Sequence, residues 1–128
     1  MEINSPLVLA EVQVIFEQYE HAVVHNDVEV LDELFWDSSL TLRFGIAENL
    51  YGFNAIKAFR ASRSKGVIRT LSNTVITTFG NDFATANTEF ESVGNSRNGR
   101  QSQTWIRTTK GWKIVSAHVS WCDQIPAS

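Results

Sequence analysis

RQSQTWIRTTKGWKIVSAHVSWC, residues 100–122, is the stretch that decides the fold. Two runs rich in Thr, Val, Ile and Trp, Arg100 to Thr109 and Trp112 to Cys122, flank Lys110-Gly111. Their composition is that of strands, and a two-residue spacer with Gly is a hairpin signal. A turn at Lys110-Gly111 predicts Arg107 opposite Ile114, Trp105 opposite Ser116 and Gln103 opposite His118. By alternation these six share one face, and Ile106, Val115, Ala117 and Val119 take the other. One face is polar and aromatic, the other apolar. Either can face inward, because a sheet covered by helices on one side and by a second copy on the other buries both. A one-residue bulge would change the pairing.

Outward from this hairpin the strand pattern continues. Val67 to Phe79 and Phe83 to Val93 are two further runs joined by Gly80-Asn81-Asp82, and Gly94 to Gly99 forms a longer loop. Upstream, Phe53 to Arg63 has helical spacing, and Leu40 to Phe44 and Leu50-Tyr51 are short extended pieces stopped by Gly45 and Gly52. The first forty residues read as helix. Ser5 is placed to cap and Pro6 suits the first helical position. Val8, Val12, Ile15, Tyr19 and Ala22 make a stripe, with Glu11, Glu17 and Glu20 on the other side. Asn26-Asp27 breaks the helix, and Asp27 caps a short second one carrying Leu31, Leu34 and Phe35. Helix, helix, strand, strand, helix, then an antiparallel meander predicts an α+β fold. Its helices pack on one face of a strongly bent sheet, a cone whose mouth holds a pocket.

With 128 residues the chain suits one domain, residues 1–128, and 43% apolar residues with 2 Pro and 7 Gly exclude a disordered or collagen-like chain. Charge is segregated. Nine acids and no Lys or Arg precede Arg43, and from Arg43 on there are eleven bases and five acids, for a net −3. Bases that are neither in excess nor in runs argue against a nucleic-acid partner. The opening Met-Glu-Ile-Asn-Ser-Pro lacks the basic and apolar regions of a secretory signal, and no apolar run nears the roughly 20 residues of a membrane span. Cys122 has no internal disulfide partner. These features predict a cytoplasmic protein without a membrane partner.

Phosphate loops, the Gly-x-Ser-x-Gly elbow and paired zinc cysteines are absent from the sequence. His21 and His25 lie at i, i+4, but no third ligand is near, and no metal site is expected. Tyr19 stands in the buried stripe, where a phenol needs a hydrogen-bond partner. Its hydroxyl can sit at the core's edge or serve a site. Arg43 stands between Leu42 and Phe44, on the face opposite to both. It can pair with a front-half acid such as Glu20 or Asp37, or line a pocket and receive an anion, since guanidinium forks suit carboxylates.

Five stretches carry a resemblance over nearly the whole chain: Asp-Glu-Leu-Phe-Trp (32–36), Arg-Phe-Gly with Glu-Asn-Leu-Tyr-Gly (43–52), Phe-Arg-Ala-Ser-Arg (59–63), Thr-Val-Ile-Thr-Thr-Phe-Gly (74–80), and Gln-Thr-Trp-Ile-Arg through Gly-Trp-Lys-Ile-Val-Ser-Ala-His-Val-Ser (103–120). The chain resembles the HpxZ-type oxalurate-catabolism, AtzH-like (DUF3225) family, a branch of the NTF2-like or SnoaL-like superfamily. The resemblance implies a cone-shaped α+β barrel, a homodimer through the sheet, and catabolism of small carboxylated ureides. A related decarboxylating amidohydrolase of cyanuric acid breakdown converts dicarboxyurea to allophanate. Its functional helix Tyr and strand Arg carry onto Tyr19 and Arg43. The expected function is thus a cofactor-free decarboxylating amidohydrolase acting on a small anion of the oxalurate or dicarboxyurea type. Arg43 clamps a carboxylate, and Tyr19 positions the substrate or shuttles a proton. Tyr51 or Trp105 stacks on the planar urea, and Arg60, Arg107 and His118 balance charge. The rival expectation is a non-catalytic dimer that binds a small anion or partners an amidase of the same route.

Overall fold

Nine elements follow one another in the computed structural model, which describes residues 1–123. They are α1 (Pro6–His25), α2 (Val28–Leu34), β1 (Leu42–Phe44), β2 (Asn49–Tyr51), α3 (Phe53–Ala61), β3 (Arg69–Phe79), β4 (Phe83–Ser92), β5 (Asn98–Thr108) and β6 (Gly111–Cys122). The six strands form one curved sheet in the order β2-β1-β6-β5-β4-β3. The expected α+β architecture is therefore present, with β3 to β6 as the antiparallel meander. One pairing breaks the pattern: β1 runs parallel to β6, Arg43 beside Ala117. No helix among the described residues is long and apolar enough to cross a membrane.

The helix ends follow local chemistry. Pro6 occupies the first turn of α1, but the Ser5 side chain makes no capping hydrogen bond, contrary to expectation. The Ser5 carbonyl instead accepts from the Leu9 N–H at 2.8 Å. Asn26 ends α1 in the left-handed region at φ 51° and returns its N–H to Ala22 and Val23. Asp27 does cap α2, its carboxylate accepting from the Val30 N–H at 3.3 Å. The α1 stripe buries Val8, Val12, Phe16, Tyr19 and Ala22 against the concave side of the sheet, where Ala84, Ala86, Trp105, Ile114 and Ala117 wait.

The final hairpin departs from the expected register. Its turn is Thr109-Lys110, so Arg107 pairs with Trp112 and Trp105 with Ile114. The register then shifts. Thr104 pairs with Ser116, Gln103 with Ala117 and Ser102 with His118, which leaves Val115 as an extra residue in β6. A bulge flips the alternation beyond it. Trp112 and Ile114 face inward, and so do Ala117 and Val119. His118 is turned to the exposed outer face, away from Trp105. The single face expected for Gln103, Trp105, Arg107, Ile114, Ser116 and His118 does not form.

Candidate functional site

Between α1, α3 and the concave sheet lies a cavity of about 520 Å³. Every layer contributes to its wall. Tyr19 comes from α1, Arg43 from β1, Phe59 and Arg60 from α3, Arg69 from β3, Phe90 from β4 and Gln101 from β5. The loop before β3 adds Arg63 and Lys65 at the rim. Among the described residues, five cations and one acid, Glu48, line the space. That balance favours an anionic occupant.

Three arginines are held from behind. Arg43 donates through Nη1 to Glu48 at 2.8 Å. Its partner is therefore the acid five residues on, across the β1–β2 turn, rather than Glu20 or Asp37. Gly45 makes this pair fit, because a Cβ there would overlap the Glu48 carboxyl and crowd Arg43. Arg60 donates through Nη1 to Asp32 at 2.7 Å and lies over the Phe35 ring, 4.7 Å from its centroid. Burial pulls its pKa below the ordinary guanidinium value, and Arg43 adds to that; Asp32 and Tyr19 oppose it. Arg69 holds Glu20 with two bonds, Nε at 2.9 Å and Nη2 at 2.7 Å, and Nη2 also donates to Gln101 Oε1 at 3.0 Å. Burial works against the Arg69 charge too, but Glu20 and Tyr19 more than offset it and raise the pKa.

Tyr19 lines the same space as Arg60 and Arg69. Its ring is wedged at 6.4 Å from both Phe35 and Trp105. Its hydroxyl makes no hydrogen bond among the described residues, yet it is not among the sealed, unpartnered atoms, so it opens to the cavity. Gln101 is different. Its side chain is buried with Oε1 on Arg69, and its Nε2 is sealed without a partner among the described residues. A buried unpaired donor costs about 1–3 kcal/mol.

The cavity thus brings together Tyr19, Arg43 and Arg60. It does not include the other four residues singled out from the sequence. Trp105 is fully buried behind Tyr19, its indole N–H donating to Gln103 at 3.0 Å. Tyr51 is 67% exposed, and it and His118 each lie 5.8 Å from Phe44 on the outer side of the sheet. Arg107 sits near the β5–β6 turn, paired with Glu11 at 2.7 Å and Asp82 at 3.2 Å. That hydrogen bond from Arg107 holds the Glu11 carboxyl below the usual value. Glu48, Arg63, Lys65, Arg69 and Gln101 were missed. A signal existed for Arg69: like Arg43 in β1, it is the one charged residue of its strand. His21 and His25 stack on each other at 4.1 Å outside the cavity. No group of three His, Cys, Asp or Glu among the described residues could hold a metal ion.

The AtzH-like family model matches residues 1–125. Among solved structures, a DUF3225-family protein of unknown function from Pectobacterium atrosepticum is 52% identical, covering 94% of this chain and 95% of that one, with TM-score 0.92. A cystatin-like fold protein from Burkholderia xenovorans is 49% identical over 98% and 99%, with TM-score 0.94. An NTF2-like protein from Pseudomonas putida shares the fold at 15% identity, covering 97% and 98%, with TM-score 0.76. No curated protein matches the chain. Fold, matched length and identity agree, and the chain belongs to the AtzH-like family, on the NTF2-like, cystatin-like fold.

Proposed function

We propose that the cavity binds a small carboxylated urea, of the oxalurate or dicarboxyurea type, and that the protein acts on it as a cofactor-free decarboxylating amidohydrolase. One observation carries this reading. The Arg43 and Arg60 guanidinium groups line a cationic cavity together with a Tyr19 hydroxyl that has no partner among the described residues. Arg43 and Arg60 each use only Nη1 on their acids, which leaves donors for a carboxylate. Tyr19 offers a proton beside them. For an N-carboxyurea, the bond from nitrogen to the carboxylate carbon breaks and carbon dioxide leaves. The electron pair stays on nitrogen, which takes a proton through Tyr19, and solvent returns that proton to the phenol. Fixed guanidinium groups orient the carboxylate for that step.

Turnover measured on oxalurate and on dicarboxyurea tests the reading. Tyr19→Phe is expected to lower kcat about 10²–10⁴-fold, the usual worth of a positioned proton donor. Arg43→Gln is expected to lose about 10²-fold or more in kcat/KM. Wild-type rates in either variant would remove that residue from the mechanism. A wild-type protein that binds these ureides and turns over none of them would leave a binding role beside an amidase.

A further inference from the structure

The donors around the cavity differ in how much charge they have left to give. Arg43 and Arg60 each meet their acid through a single nitrogen. Arg69 meets Glu20 through two, in the fork-on-fork geometry that neutralises a guanidinium most completely. Its remaining contact is the neutral Gln101 oxygen. Three of its five N–H groups are therefore used, and the two on Nη1 have no protein partner among the described residues. The Arg69 side chain is only 4% exposed, yet Nη1 is not a sealed atom, so its free edge faces the cavity that the residue lines. Phe90 fixes the plane of the group, its ring 4.6 Å below the guanidinium. Phe90 itself lies over Gly99, where any Cβ would strike the ring.

A rigid donor edge backed by a carboxylate suits a neutral oxygen. A second ligand carboxylate there would face Glu20 across the same guanidinium. We propose that Arg69 is a specificity-determining residue of this cavity: it receives the neutral carbamoyl oxygen of a ligand whose carboxylate is held by Arg43 and Arg60, and Glu20 sets that preference. Such a ligand carries one carboxylate and one uncharged urea end, which narrows the ligand class proposed above to singly carboxylated ureas. The inference rests on the cavity being the ligand site, and it is independent of turnover.

Calorimetric titration with N-carbamoylglycine and with succinate tests it. The two probes match in length and heavy-atom count and differ in a neutral carbamoyl end against a second carboxylate. Wild type is expected to bind N-carbamoylglycine at least about tenfold more tightly than succinate. Arg69→Gln should lower N-carbamoylglycine affinity about tenfold and erase the preference. Glu20→Gln keeps Arg69 and frees its charge, so the preference should move toward succinate by about tenfold or more. A purely structural Glu20–Arg69 pair would weaken both probes equally, and that result overturns the inference even if Arg69→Gln does not fold. Equal affinities in wild type, or an unchanged ratio in Glu20→Gln, overturn it as well while leaving the cavity a ligand site. Failure of both probes to bind wild type at millimolar concentration overturns the ligand reading of the cavity too.

Discussion

Arg60 and Arg107 show how one side chain acquires opposite roles from its surroundings. Arg60 is nearly sealed, held by Asp32 and Phe35, with its remaining donors at the cavity. Arg107 is a third exposed near the β5–β6 turn, with Glu11 and Asp82 as partners and Trp112 beneath it at 4.8 Å. Arg60→Gln is therefore expected to weaken N-carbamoylglycine binding about tenfold, the loss of one charge-assisted contact. Arg107→Gln should leave it within about twofold. A large effect of Arg107→Gln in titration calorimetry would contradict the placement of the ligand. The sequence could single out Arg43 because a lone cation between Leu42 and Phe44 has only one face to occupy. Arg69 had the same signature at the start of β3. His118 and Trp105 were misjudged for a physical reason: the extra Val115 inverts the alternation between them, and a bulge leaves no mark in composition. Alternation also says nothing of position along a strand, which is why Arg107 could not be placed far from the cavity.

At the scale of elements, the end of α1 does two jobs. Asn26 closes the helix, and the same end receives the loop that carries Arg63 and Lys65. The Val67 N–H donates to the Val23 carbonyl at 3.2 Å, and Asn26 Nδ2 donates to the Arg63 carbonyl at 3.4 Å. Gly66 permits this approach, because a Cβ there would run into the carbonyl oxygens of Val23 and Val24. Backbone cannot swing aside as a side chain can. Gly66→Ala is therefore expected to cost about 1–3 kcal/mol, read as a lower urea midpoint with an unchanged slope. An unchanged midpoint would mean that the loop docks some other way. The elements themselves were legible where the pattern was local. The α1 stripe and the four long strands stand out through their own periods, and their observed ends shift by one to two residues. The β1–β6 pairing was not legible, since Leu42 to Phe44 is three residues long and nothing in it names a partner more than seventy residues away.

Across the whole molecule, the segregation of charge becomes an interlayer bond pattern. Glu11, Glu20 and Asp32 from the acidic front meet Arg107, Arg69 and Arg60 from the basic back. These pairs tie the α1–α2 layer to the sheet and to α3, and they leave Arg63 and Lys65 at the rim without acidic partners among the described residues. All three helices serve the concave side. The convex side has none, and it presents Tyr51, Val75 and Phe83 at 67%, 57% and 44% exposure, with Phe44 and His118 packed beside Tyr51. We propose a second copy as its cover, because a two-fold axis lays this sheet face against itself with no further surface required. Sedimentation equilibrium should then give twice the 14.4 kDa chain mass. Tyr51→Glu would place a carboxylate in that contact and should return the mass to one chain. Tyr51 does not line the cavity, so the same variant should still bind N-carbamoylglycine within about twofold of wild type. A wild-type protein that sediments as a single chain at micromolar concentration would exclude the pairing. A Tyr51→Glu variant that stays dimeric would move the contact off this face.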